Sequence, residues 1–349
     1  MNIADRLLDW HKHHGRHDLP WQVRGDPYSV WVSEIMLQQT QVATVIPYYE
    51  RFIGQLPQIQ DLADAKPDLV LHLWSGLGYY ARARNLHKTS QIIMDQYGGK
   101  FPVNINDLIA LPGIGKSTAG AILAQSLGQP HPILDGNVKR VLSRYFRIDG
   151  WPGHRDTEKR LWQLSEDLTP STNVAEYTQA IMDLGATVCT RSKAACSQCP
   201  LQNSCQALLN DEVSIYPYKR PKKTLPVKET TFLFVRNKQG EIYLTQRPPS
   251  GIWGGLWCLP ELRPETGTTD TEWRIKNFPA DIATEPPLPV VRHTFSHYHL
   301  DFTVIPATLK GNHRAGIRET APAIWYNPAK PAKLGLAAPI KKIINETEV

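Results

Sequence analysis

Four cysteines crowd into one short stretch, Cys189, Cys196, Cys199 and Cys205, and a fifth, Cys258, stands alone. The spacing C-x6-C-x2-C-x5-C lets four thiolates converge on one compact centre. Structural zinc usually takes its ligands in two tight knuckles, and only Cys196 and Cys199 form one here. An iron–sulfur cube accepts looser spacing, since its irons occupy separate corners. The pattern therefore predicts a [4Fe-4S] cluster first and zinc second. Disulfides are a poor reading in a chain expected to be cytosolic. Arg191, Lys193 and Pro200 lie in the same segment and suit a loop that faces phosphate.

Two carboxylates stand in contrasting settings. Glu34 sits in Val30-Trp31-Val32-Ser33-Glu34-Ile35-Met36-Leu37, an apolar helical run. Apolar neighbours raise the pKa of a carboxyl and keep its proton near neutral pH. A salt-bridged Glu34, or one on an exposed stripe of the helix, is the plain alternative. Asp135 opens Asp135-Gly136-Asn137-Val138-Lys139-Arg140, where an Asp ahead of an amphipathic run is an N-cap by itself. Helix amides there favour its charged form. An acid that holds its proton beside an ionised partner is the pair that glycosidic cleavage uses.

Between them runs Asn106 to Ser126, with helical stretches flanking Leu111-Pro112-Gly113-Ile114-Gly115. The glycines permit a tight turn with bare amides facing out. With the start of the next helix they form a site for a phosphate oxygen. Ala119, Gly120 and Ala121 let the helices pack closely. This is a helix–hairpin–helix pattern, which binds nucleic-acid backbone without reading sequence.

Placing these groups takes more than one core, because 349 residues suit two domains. Residues 1–215 read as a helical domain, with apolar positions such as Val70, Leu73, Trp74 and Leu77 at helical spacing. Residues 216–228 read as a linker, since Pro217, Pro221 and Pro226 suppress helix. Residues 229–349 turn to strands. Thr231–Val235 and Glu241–Thr245 flank a polar turn ending in Gly240, further strands are expected at Leu300–Ala307 and Ala323–Tyr326, and a helix at Pro339–Ile344. No run of about 18 apolar residues exists, so no membrane span is expected. The N-terminus lacks the apolar core of a secretion signal, so a cytoplasmic protein is expected. A formal charge of +6 permits a nucleic-acid partner without demanding one.

Taken together, the hairpin, the trailing Asp135 and the four cysteines resemble the endonuclease III superfamily of DNA glycosylases. The resemblance is closer still to its adenine glycosylase (MutY) family and covers nearly the whole chain. It is carried by Leu37-Gln38-Gln39-Thr40-Gln41-Val42, by Gly76-Leu77-Gly78-Tyr79-Tyr80-Ala81-Arg82-Ala83-Arg84, by the hairpin, by the Asp135 segment and by the cysteines. The second half resembles a MutT-like (Nudix-like) domain through Pro248-Pro249-Ser250-Gly251-Ile252-Trp253-Gly254-Gly255-Leu256-Trp257 and Arg292-His293-Thr294-Phe295-Ser296-His297. The resemblance implies a mostly α helix–hairpin–helix glycosylase module with an iron–sulfur loop, joined to an α+β MutT-like C-terminal domain.

It also implies roles. Glu34 protonates a flipped adenine, Asp135 stabilises the sugar cation and Asn137 holds both Asp135 and the sugar. Gln39, Leu77 and Tyr79 wedge into the duplex, while Thr40, Gly113, Gly115, Lys116 and Ser117 belong to the DNA-binding set. Phe295, Ser296 and His297 read an 8-oxoguanine opposite the adenine. The partners implied are duplexes with A:8-oxoguanine or A:G mispairs, bound by a monomer associated with the bacterial nucleoid. Two departures matter. Ser117 stands where bifunctional relatives carry a lysine that forms a Schiff base, so cleavage of the strand is not expected; Lys116 and Lys139 are close enough in sequence for adventitious adducts. After Gly255 the chain reads LWCLPELRPETGTT and lacks the R-E-x-x-E-E metal box of MutT-like hydrolases, so the second domain should bind without hydrolysing. Rival readings are a pyrimidine glycosylase and lyase, a silent damage sensor, a nucleotide pyrophosphatase, and zinc on His293, His297 and His299.

Overall fold

The structure, a computed structural model, describes residues 2–22, 25–221, 224–262, 282–310 and 322–346. Its helices are α1 (Ile3–His14), α2 (Pro27–Leu37), α3 (Val42–Gln55), α4 (Ile59–Asp64), α5 (Pro67–Leu73), α6 (Ala81–Tyr97), α7 (Ile105–Ile109), α8 (Lys116–Leu127), α9 (Gly136–Tyr145), α10 (Arg155–Leu168), α11 (Val174–Asp183), α12 (Gln206–Leu209) and α13 (Ala338–Glu346). None of the described helices is long and apolar enough to cross a membrane. The chain forms two compact units. One comprises Met1–Asp64 with Asn85–Lys222, and the other Ala65–Arg84 with Lys223–Val349. The division near residue 222 lies within the proline-rich stretch 216–228. The inclusion of residues 65–84 in the second unit has no sequence signal, because its contacts are with residues far along the chain.

The first unit is built on apolar stripes. Leu7 and Trp10 of α1, Val138, Val141 and Leu142 of α9, Leu161 of α10 and Tyr177 and Ile181 of α11 form one buried cluster. Burying each such side chain stabilises the fold by about 1.5–3 kcal/mol. By contrast α2 is apolar on every face, with Val30, Trp31, Val32, Ile35 and Met36 all buried. A helix of that kind belongs inside a fold. Asp26 starts it by accepting hydrogen bonds from the amides of Tyr28 at 3.0 Å and Ser29 at 3.2 Å.

The expected hairpin is α7, a turn and α8. Gly113 adopts φ +82°, a left-handed backbone that glycine accepts without cost. Gly120 of α8 lies so close to the following segment that a Cβ there would come within 2.4 Å of the Pro132 carbonyl oxygen. Such overpacking costs about 1–3 kcal/mol. The approach lets the Ser117 hydroxyl accept from the Leu134 amide at 3.0 Å, and Ser165 donates to the Ile133 carbonyl at 2.7 Å. Both bonds fix the residues just ahead of Asp135.

In the second unit the described strands are β1 (Val227–Arg236), β2 (Ile242–Gln246), β3 (Trp257–Cys258), β4 (Glu261–Leu262), β5 (Ile282–Thr284), β6 (Val291–Thr294), β7 (His299–Leu309) and β8 (Ala323–Tyr326). Their order is β3-β2-β1-β7-β5, with β4 on β1, β6 on β7 and β8 on β2. β1 and β2 form the expected antiparallel hairpin, closed by the Asn237 side chain accepting from the Gln239 and Glu241 amides. β1 runs parallel to β7, from Val227 beside His299 to Arg236 beside Thr308. That central place explains its continuous buried run, Phe232 to Val235. On one face Phe232, Phe302 and Trp253 pack ring against ring; Leu233, Val235, Tyr243 and Ala307 form another cluster. The stretch beyond Leu262, where the missing metal box was sought, lies outside the described residues.

Candidate active site

The first unit contains a cleft of about 820 Å³, and Glu34, Asp135, Asn137, Gln39, Thr40 and Ser117 all line it. Glu34 reaches it from α2 and Asp135 from the start of α9, so two groups a hundred residues apart share one cavity. Burial pushes the Glu34 carboxyl up to about 8, and the charge on Asp135 adds to the rise. Asp135 is the N-cap of α9 and accepts from the Val138 amide at 2.7 Å and from Asn137 Nδ2 at 2.9 Å.

The pKa of Asp135 departs from expectation in the direction of its shift. Burial is the largest influence and raises its pKa above the ordinary value. The Val138 amide, Asn137 and the Arg140 guanidinium all pull it back. Helix amides alone had predicted a lowered value; loss of water outweighs them because the side chain is enclosed. The Val138 amide and Asn137 favour the charged form of Asp135, and that charge adds to the rise at Glu34.

Arg140 ends the segment that Asp135 opens, and sequence alone names no role for it. Its Nη2 donates to Asn137 Oδ1 at 2.8 Å and to the Gly185 carbonyl at 2.5 Å, and its Nε donates to the Cys189 carbonyl at 2.7 Å. Gly185 belongs to a single π-helical turn, Leu184–Val188, that follows α11. A Cβ on Gly185 would lie 2.6 Å from the Asn137 Cβ, so only glycine admits this approach. Sequence reasoning also missed the opposite wall. Asp183, fully buried, accepts from the Arg16 amide at 2.7 Å, from Arg16 Nη2 at 2.6 Å and from Gln179 Nε2 at 2.8 Å. Burial alone would raise the Asp183 carboxyl, but the bonds from His11 and Arg16 and the charge of Arg16 hold it below the usual range. Gln179 and Arg16 line the cleft. Only the i, i+4 spacing of Gln179 and Asp183 could have hinted at this; Arg16 lies too far away in sequence.

Gly115 caps α8 without a side-chain hydrogen bond, which leaves its first amides for other partners. Lys116 is held by Glu166 at 2.7 Å and rests over the Trp162 ring, and Lys139 is held by Glu158 at 2.6 Å. Neither lysine lines the cleft. Gln39 and Tyr79 share a left-handed backbone, φ +59° and +48°, and both are exposed. Such strain in non-glycine residues collects at functional positions. Leu77 and Tyr79 lie in the second unit. There too lie Phe295, Ser296 and His297, in the turn between β6 and β7, where the Phe295 amide donates to the Tyr298 carbonyl at 2.9 Å. The Phe295 ring contacts Trp253, His293 and Tyr298.

The four clustered cysteines are half-buried free thiols. Burial pushes Cys199 up to about 11 and raises Cys196 and Cys205, and the charge of Cys189 raises all three further. The thiols are thus close enough to feel one another. The buried Arg144 donates to Cys189 Sγ at 3.3 Å and to the Thr190 carbonyl at 2.7 Å, holding the loop. Among the described residues, no three His, Cys, Asp or Glu stand in position around a single metal ion.

Residues 32–167 match the HhH-GPD superfamily of base excision DNA repair proteins, and residues 231–346 match the NUDIX domain. The chain is similar to the adenine DNA glycosylase of Buchnera aphidicola subsp. Acyrthosiphon pisum (strain APS), at 41% identity over 98% of this chain and 96% of that one. It is 34% identical to the adenine DNA glycosylase of Homo sapiens over 87% of this chain and 66% of that one. Among solved structures it resembles a thermostable thymine-DNA glycosylase with a TM-score of 0.54 at 26% identity, covering 60% of this chain and 95% of that one. A non-covalent endonuclease III–DNA complex, at 20% identity and a TM-score of 0.51, shares the fold over 60% of this chain and 94% of that one.

Proposed function

Because the chain belongs to the adenine DNA glycosylase family, we propose that it hydrolyses the N-glycosidic bond of an adenine mispaired with 8-oxoguanine or guanine in duplex DNA. The observation that carries this reading is the shared cleft, in which Glu34 is pushed up to about 8 partly by the charge of Asp135. One carboxyl keeps its proton at neutral pH while its neighbour gives its own up first.

The adenine must leave the base stack before either group can reach its bond. Gln39, Leu77 and Tyr79 fill the gap and hold the duplex bent. Glu34 gives its proton to a ring nitrogen of the extruded base. The bond to the sugar breaks and its electron pair leaves with neutral adenine. Asp135, fixed by Val138 and Asn137, stabilises the cation left on the sugar. Water adds there and loses a proton to the Glu34 carboxylate, which restores the acid, and the product is an abasic site. Ser117 presents a hydroxyl bonded to the Leu134 amide, not an amine, so no Schiff base forms and the strand stays whole. The hairpin amides at Gly113 and Gly115, with Lys116 and Thr40, hold the backbone.

Cys189, Cys196, Cys199 and Cys205 hold a [4Fe-4S] cluster. The donor set fits, because Cys196, Cys199 and Cys205, raised by burial and by the charge of Cys189 beside them, become favourable as thiolates only beside compensating positive charge. The cluster would supply a rigid, charged DNA-facing loop, and hydrolysis calls for no electron from it. Phe295, Ser296 and His297 read the base opposite the adenine, with Ser296 and His297 offering hydrogen bonds and Phe295 a packing surface. The protein works as a monomer in the cytoplasm, on nucleoid DNA.

The test is single-turnover removal of adenine from A:8-oxoguanine, A:G and oxidised-pyrimidine duplexes, with abasic sites cut by alkali. Glu34→Gln and Asp135→Asn should each slow adenine removal by about 100-fold or more with duplex binding retained. Wild-type rates in either variant would refute the assignment, and release of an oxidised pyrimidine would redirect it.

A further inference from the structure

Residues 65–84 cluster with the β-sheet unit, not with the helices that flank them in sequence. This segment carries α5, the loop around Leu77 and Tyr79, and the first turn of α6. Strand β3 and the loops of the sheet hold it on both sides of Tyr79. Ahead of it, Trp257 Nε1 donates to Asp68 Oδ1 at 2.9 Å, and a Cβ on Gly335 would fall 2.5 Å from the Leu71 Cβ. Behind it, Arg84 Nη1 donates to the Gly254 carbonyl at 2.6 Å. The loop is also braced from within. Trp74 Nε1 donates to the Gly78 carbonyl at 3.2 Å, and Arg82 Nη2 donates to the carbonyls of Leu77 at 3.3 Å and Gly78 at 3.2 Å. At its tip Tyr79 is 48% exposed.

We propose that Asp68, Trp257 and Arg84 are positioning residues, through which the sheet unit sets Leu77 and Tyr79 for entry into the duplex. The inference rests on the reading above that this loop is a wedge, and it adds who holds the wedge. A side chain driven between stacked bases is pushed back by the stack it opens. A loop tied only to its own chain yields to that push, whereas one bonded on both sides to a folded sheet resists it. The same unit carries Phe295, Ser296 and His297, so reading the opposite base and opening the stack become acts of a single body. The C-terminal unit therefore serves adenine extrusion even where the opposite base is plain guanine.

The experiment uses the full chain with Glu34→Gln to keep the bond intact, and an A:G duplex with 2-aminopurine beside the adenine to report unstacking. Asp68→Ala and Trp257→Phe should each lower the fluorescence rise by about tenfold, the worth of one charge-assisted hydrogen bond. Asp68→Asn, which keeps an acceptor oxygen, should restore much of it. Binding to a duplex that already contains an abasic site should change less than extrusion does. Trp257→Phe keeps the buried ring, so the test stands even if Asp68→Ala folds poorly. Leu77→Ala and Tyr79→Ala separate the two readings. If these lower the signal while Asp68→Ala and Trp257→Phe do not, the anchoring is overturned and the wedge survives. If Leu77→Ala and Tyr79→Ala leave the signal intact, the wedge reading itself falls.

Discussion

The two helices that meet at the cleft follow opposite rules. α2 is mostly buried and delivers Glu34 to the cleft among apolar neighbours, so loss of water is the largest influence on the state of that carboxyl. α9 is amphipathic and begins at Asp135, whose oxygens are engaged by an amide and by Asn137, with Arg140 behind. Burial raises both acids, but only Asp135 has donors that work against it. The difference shows how one residue chemistry yields an acid and an anion in the same cavity. Surroundings, not the carboxyl itself, decide which role each takes.

That contrast breaks most visibly in a pH profile. Above about pH 8 Glu34 loses its proton, and single-turnover adenine removal should fall about tenfold per unit. On the acid side the rate should fall as Asp135 takes up a proton, at a pH above the ordinary aspartate value because burial has raised it. Residual activity of Glu34→Gln should lack the alkaline limb; if the limb persists there, another group owns it. A smaller effect comes from the donors. Arg140→Met removes bonds to Asn137 and to the Gly185 and Cys189 carbonyls, and should slow the chemical step about tenfold while binding stays close to wild type. Arg140→Lys should not restore the rate, because an ammonium cannot serve three acceptors in a fork. An unchanged rate in Arg140→Met would mean that Asp135 needs no help against burial.

A separate effect is on stability. In the unfolded chain Glu34 ionises near its ordinary value of 4.5, and in the folded chain only near 8. Folding therefore loses stability as pH rises between those values, and the loss is complete above about 8. Glu34→Gln carries no such penalty, so its melting temperature should gain on wild type across that window and then run level. A constant difference between pH 4 and pH 9 would show that Glu34 is hydrated.

Much of this was legible in the sequence. The alternation in β7 and the buried run in β1 announce strands, and the apolar surroundings of Glu34 announce a raised pKa. Strands β3 to β6 span only two to four residues, too few for any period to show. The parallel pairing of β1 with β7 has no turn to mark it. Arg16 against Asp183, and Asp68 against Trp257, join positions far apart in the chain, and nothing local to either residue names its partner. The direction of the Asp135 shift was misjudged because enclosure is a property of the assembled cleft, not of a helix start.

The bond between Asp135 and the Val138 amide also begins α9. The anion is therefore oriented by folding itself and does not have to be arranged when DNA arrives. A group so fixed sits in the same attitude toward every nucleotide that enters. Selectivity must then act earlier, at the stage where a nucleotide is admitted, and a change of preference would be sought in the walls and the wedge, leaving the charged centre untouched.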